Sequence, residues 1–169
     1  MAALFEGICG IKFVEIRNIT PKDFVGNKVK LCTGRELSVP ERFVDIAMES
    51  AEEYRFWSGE DGNKILSFDL SDERCFKRIK RNADPELENY VIIRRLKKLQ
   101  LLFNTNAIGS RQLIESGRID AIKTRMKETG LSAEECLYDK TYRKELYSRY
   151  GAIQNIGIYC KKFADLLEA

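Results

Sequence analysis

Between Glu88 and Phe103 the chain reads ENYVIIRRLKKLQLLF, and only a helix separates the two chemistries interleaved there. At 3.6 residues per turn, Ile92, Leu96, Leu99 and Phe103 form one narrow apolar stripe. Arg94, Lys97 and Lys98 then point the other way, with Arg95 on the flank. Asp84-Pro85 supplies the start, because an aspartate can accept the free amides of a first turn and proline fits inside it. Glu86 and Glu88 follow at the positive end of the helix dipole, and the four bases come later.

The apolar pattern changes period along the chain. Up to residue 70 it reads as short strands around one helix. Phe5–Ile19 is rich in apolar and β-branched residues, with Gly7 and Gly10 as breaks or bulges. Thr20-Pro21 starts a turn or a single helical turn, and Gly26-Asn27 marks another turn. Lys28–Cys32 alternates, placing Val29 and Leu31 on one side and Lys28 and Lys30 on the other. Lys64–Leu70 alternates in the same way after a loop-like Ser58–Asn63. The one helix among these strands is expected at Ser38–Trp57, where Ser38 and Glu41 have capping-box spacing and Pro40 sits in the first turn. Its inner stripe would be Phe43, Ala47, Tyr54 and Trp57, and its outer face Asp45, Glu49, Glu52 and Glu53.

From Ser71 onward the pattern is helical. A short helix is expected from Ser71 to about Arg81, then the main helix, then Arg111–Lys127 with a weak point at Gly117 and a cap at Gly130. Ser132 and Glu135 repeat the capping-box spacing ahead of an interrupted helix reaching Tyr150, and Ala152–Leu167 is the last. The expected fold class is α+β: a small N-terminal antiparallel or mixed sheet with one helix, followed by an all-helical C-terminal part. Length fits a single domain over residues 1–169, β-rich to residue 70 and helical beyond it.

Composition removes whole classes of function. The chain contains no histidine, which excludes Ser-His-Asp and Cys-His constellations and the HExxH zinc motif. Neither GxxxxGK[ST] nor GxGxxG occurs. Cys9, Cys32, Cys75, Cys136 and Cys160 are scattered and form no CxxC pair, so they read as reduced, mostly buried thiols. No apolar run approaches the roughly 20 residues that span a bilayer. MAALFEGICG lacks a basic leader, so a cytoplasmic protein without membrane contact is expected. No cofactor and no catalytic residue is expected.

Charge is the informative quantity. The net charge is only +3, but residues 1–75 hold 10 Lys/Arg against 14 Asp/Glu, whereas residues 76–169 hold 19 against 12. Two basic clusters carry the excess: Lys77, Arg78, Lys80 and Arg81, then Arg94, Arg95, Lys97 and Lys98. Merged, with Arg111, Lys123 and Lys127 beside them, they would form a strip that attracts the RNA or DNA backbone with little regard to sequence. The second reading is a protein-interaction or inhibitory module, in which Asp45, Glu49, Glu52 and Glu53 face a basic partner or a second copy of the chain. The third is a Mg²⁺-dependent nuclease built on Asp69, Asp72 and Glu73. For Asp72 and Glu73 the structural alternative is first-turn residues stabilising a helix start.

Overall fold

The computed structural model describes residues 1–58, 64–69, 71–77, 87–106 and 108–168. They belong to two compact units, Ile8–Leu99 and Met1–Gly7 with Gln100–Ala169, so the chain leaves and re-enters the second of these. The composition boundary at residue 70 falls inside the first. The fold is α+β, with a small antiparallel sheet near the N-terminus followed by a mostly helical part.

The opening stretch is helical where strands were expected. Ala2–Phe5 forms α1, a 3-10 turn follows at Ile11–Phe13, and Val14–Asn18 forms α2. Gly7 and Gly10, at φ +72° and +67°, turn the chain between them in a conformation that would strain a residue with a Cβ. β-branched composition yields here to a buried polar contact: Glu15, on α2, is drawn into the interior by Arg35.

Within Ile8–Leu99, Phe24–Val25 (β1), Lys28–Lys30 (β2) and Glu36–Ser38 (β3) form an antiparallel sheet in the order β1-β2-β3. Val29 pairs with Leu37, both buried, and Lys28 and Lys30 are exposed, as the alternation requires. The helix α3 spans Glu41–Glu52 and buries Phe43 and Ala47, with Phe43 tilted against Phe24 at 6.1 Å. Both expected ends of this helix are corrected. Ser38 is held in β3 opposite Lys28, so the helix is entered through Pro40 without a side-chain cap. At the other end the Glu53 carboxylate accepts the N–H groups of Tyr54 and Arg55, each at 3.0 Å, and takes them out of the helical ladder. Arg55–Ser58 is then free to form β4, antiparallel to β5 at Lys64–Ser67, so Tyr54 is exposed rather than inward. Residues 71–77 form turns instead of the expected helix, fixed by Asp69 accepting from Ser71 N and Asp72 from Arg74 N. The rest of that expected helix, and the start at Asp84-Pro85, lie outside the described residues. The helix α4 runs Leu87–Leu102 and buries Ile92 and Leu96; Leu99 is half-buried and Phe103, just past its end, is exposed.

In the other unit, α5 (Ser110–Thr129) passes unbroken through Gly117. A Cβ at that position would run into the Phe5 carbonyl of α1, so the expected weak point is a packing requirement. Gly130, at φ +71°, ends α5 by donating its N–H to Met126 O at 2.8 Å. The Ser132–Glu135 capping box opens α6 (Ala133–Tyr138), and Asp139 caps α7 (Lys140–Tyr150) through Thr141 N and Tyr142 N. The final stretch is two helices, α8 (Ile156–Lys162) capped by Asn155 and α9 (Ala164–Glu168). Their core joins Ile119 and Ile122 to Leu137, Leu146, Tyr150, Tyr159 and Leu167.

Candidate nucleic-acid interface

The expected basic residues separate on α4. Arg94 and Lys97, three positions apart, lie on its exposed face with Tyr90 and Ile93, and neither forms an ion pair among the described residues. Lys98 is half-buried. Arg95 is turned inward, its guanidinium 4.3 Å from the Phe76 ring and 5.6 Å from that of Phe68. Burial pulls its pKa down to about 10, which leaves the cation charged at neutral pH but committed to two aromatic faces. Lys77 is buried. Arg78, Lys80 and Arg81 lie outside the described residues. Arg111, Lys123 and Lys127 sit on α5, in the other unit.

The acidic face of α3 is assembled as its spacing implies. Asp45, Glu49 and Glu52 are exposed on one side of the helix, while Glu53 is occupied in capping its end. The trio considered for metal is differently engaged. Asp72 grips Arg74 through both carboxylate oxygens at 2.7 Å, and Arg74 also donates to Arg17 O at 2.9 Å. Glu73 meets Lys22 at 2.5 Å, and Asp69 accepts from the Ser71 hydroxyl at 2.7 Å. Among the described residues, no three groups of metal-ligating type come together.

Two arrangements were not legible in the sequence. Glu15, 1 % exposed, accepts from Arg35 Nε at 2.8 Å and Nη2 at 2.5 Å, from Thr33 Oγ1 at 2.5 Å and from Cys9 N at 2.9 Å. Burial alone would raise its pKa, but these four donors and the Arg35 charge hold it below the ordinary glutamate value. The second is a cavity of about 650 Å³ in the helical unit, lined by Arg111, Glu115, Arg118, Tyr159 and Lys162 among others. The Tyr159 hydroxyl donates to Glu115 Oε1 at 2.5 Å, and Arg118 lies 3.4 Å from Glu115 Oε2 while donating to the Tyr150 carbonyl. Burial, then the hydrogen bond and charge of Glu115, push the Tyr159 phenol far above its usual range against a smaller pull from Arg118. It stays protonated and acts as a hydrogen-bond donor. Only the tyrosine count of the C-terminal part hinted at this group. Cys75 is inert for a related reason, its thiol pushed up to about 11 chiefly by burial.

Residues 1–155 match the family described as MrpR, C-terminal catalytic domain. The chain belongs to that family. The match takes in the whole of Ile8–Leu99 and the other unit as far as the cap of α8, so Tyr159 and Lys162 lie beyond it. No curated protein matches the chain individually. Among the described residues, no helix is long and apolar enough to cross a membrane.

Proposed function

We propose that this chain is a non-catalytic nucleic-acid-binding domain that holds the phosphate backbone through the exposed face of α4. The observation that carries this reading is a contrast within one unit. Arg35 and Arg74 are satisfied by Glu15 and Asp72, whereas Arg94 and Lys97 stand on the surface with no internal carboxylate among the described residues. Such cations gain most from a phosphate, which releases counterions as it is neutralised. Tyr90 and Ile93, exposed beside them, add a surface on which a base or sugar can lie. Arg78, Lys80 and Arg81 extend the basic set along the sequence, and Lys98 borders it. A cytoplasmic setting accords with nucleic acid as the partner and with five free cysteines.

The family description names a catalytic domain without naming a reaction. The described residues favour binding over chemistry. Tyr159, the most perturbed phenol, keeps its proton and donates it in a hydrogen bond to Glu115, and Asp72 and Glu73 are spent on Arg74 and Lys22. A protein partner is the second reading, favoured by the unbroken exposed row Asp45, Glu49 and Glu52.

The test is fluorescence anisotropy with labelled RNA and DNA at two salt concentrations, with and without Mg²⁺. Arg94→Glu with Lys97→Glu should weaken binding of every sequence alike and lower the salt slope by about 2, near one unit per lost phosphate contact. Binding that ignores this pair would sink the α4 surface. Cleavage on adding Mg²⁺ would overturn the non-catalytic reading, and disruption of a complex by Glu49→Lys with Glu52→Lys would favour the acidic face.

A further inference from the structure

We propose that the helical unit binds a phosphate ester of nucleotide size in the cavity walled by α7 and the turn leading into α8. This cavity measures about 690 Å³, within the span of small-molecule sites and far larger than a lone phosphate. Lys140, Arg143, Lys144 and Tyr147 line it from one side of α7, at helical spacings i, i+3, i+4 and i+7. Leu146 and Tyr150, buried on the adjoining side of the helix, fix its rotation and so the aim of the cations.

The charges on this wall have no internal use. Elsewhere in the unit arginines meet carboxylates: Arg118 with Glu115 at 3.4 Å, Arg125 with Asp139 at 3.5 Å and Arg149 with Glu6 at 2.9 Å. Lys140, Arg143 and Lys144 have no ion pair among the described residues, and no carboxylate lines the cavity. Asp139, next in sequence, is occupied by Thr141 N, Tyr142 N and Arg125. Glu134 accepts the Tyr138 hydroxyl at 3.3 Å. Lys140 is moreover the first residue of α7, at the end where the helix dipole disfavours a cation. An external anion at this wall answers both the unpaired cations and the dipole.

The rest of the lining suits an organic appendage. The Tyr147 ring is fixed by its hydroxyl donating to Ile153 O at 3.0 Å, and Ile153 and Ile156 form an apolar floor. The Asn155 carbonyl oxygen caps Ile158 N, so its amide N–H groups remain available as donors beside Gln154. A free mononucleotide and a nucleotide within a strand present the same chemistry to this wall.

The inference stands apart from the α4 reading and is tested on the full chain by amide NMR titration with adenosine monophosphate. Saturable shifts are expected across residues 140–157, with adenosine and inorganic phosphate each binding more weakly. Lys140→Glu with Lys144→Glu, and Lys144→Gln alone as a milder change, should weaken binding, the pair by about tenfold or more. Arg94→Glu with Lys97→Glu, which removes the same charge elsewhere, should leave it intact. Displacement of the mononucleotide by a single-stranded oligonucleotide identifies a strand as the source; retention identifies the free nucleotide. Absence of saturable shifts in this segment, or equal loss in both double variants, overturns the proposal.

Discussion

Glu15 and Glu6 lie in different units, each with one arginine partner, yet their environments shift them in opposite directions. Glu15, in Ile8–Leu99, is held below the ordinary glutamate pKa although burial opposes this. Glu6, in the helical unit, is raised: burial dominates, Arg149 offsets it only in part, and the charge of Asp120 adds to the rise. The difference is the number of donors. Glu15 accepts two bonds from Arg35, one from Thr33 and one from Cys9 N, whereas Glu6 accepts a single 2.9 Å bond from Arg149. Arg149 divides itself further, donating to the Glu6 carbonyl at 3.3 Å. One cation does not repay the desolvation of a carboxylate, but a complete set of donors does.

The largest expected effect sharpens this contrast. Glu15→Ala leaves the Arg35 guanidinium and the Thr33 and Cys9 donors without their acceptor and should cost about 3–5 kcal/mol in urea unfolding. Glu6→Ala, which removes a carboxylate that burial already disfavours, should cost about 1 kcal/mol. Equal losses would mean that the extra donors on Glu15 contribute nothing.

The next largest effect is expected in the helical unit, where α1 rests on α5 at Gly117. Gly117→Ala would raise helix propensity by about 1 kcal/mol at an exposed site. Here its methyl meets the Phe5 carbonyl and α1 must move, so a net loss of about 2 kcal/mol is expected. A stabilised variant, read by thermal unfolding, would show that α1 is not seated against α5.

These two anchors also explain what could be read from the chain alone. The helices α5 to α7 were legible because their signals are local: Gly130 past an end, Ser132 three residues before Glu135, an apolar stripe on one face. The β2 alternation was legible for the same reason. The stretch from Phe5 to Ile19 reads as strand by composition, because its structure depends on Arg35, twenty residues beyond Glu15. The end of α3 was overrun because Glu53 competes for backbone amides through its side chain, which a count of apolar positions ignores. At the candidate interface the sequence located the cations of α4 but not which of them would be spent. Arg95 differs from Arg94 by one position, about 100° of helix rotation, and that rotation sends it onto Phe68 and Phe76. The wall of Lys140, Arg143 and Lys144 has no signature in the sequence, because its spacing looks like any solvated face until the turn at Ile153 closes the cavity.

The smallest effect is the most diagnostic, because its sign differs between the units. Glu15 has a folded-state pKa below its unfolded one, so its contribution is complete above the ordinary glutamate value of about 4.3 and is lost as pH falls through the depressed value. Glu6 is raised, so its contribution is complete below about 4.3 and is lost as pH climbs through the elevated value. Glu15→Gln should therefore lower stability at neutral pH and flatten its decline on strong acidification. Glu6→Gln should match the unsubstituted chain within about 0.5 kcal/mol at neutral pH, keeping an acceptor for Arg149 without a desolvated charge. Just above the ordinary glutamate value, where the raised carboxyl of Glu6 binds its proton and adds stability, Glu6→Gln should fall below the unsubstituted chain. Urea midpoints across this acidic range separate the two carboxylates. If both variants shift the curve in the same direction, the donor count around Glu15 is not what sets it apart from Glu6.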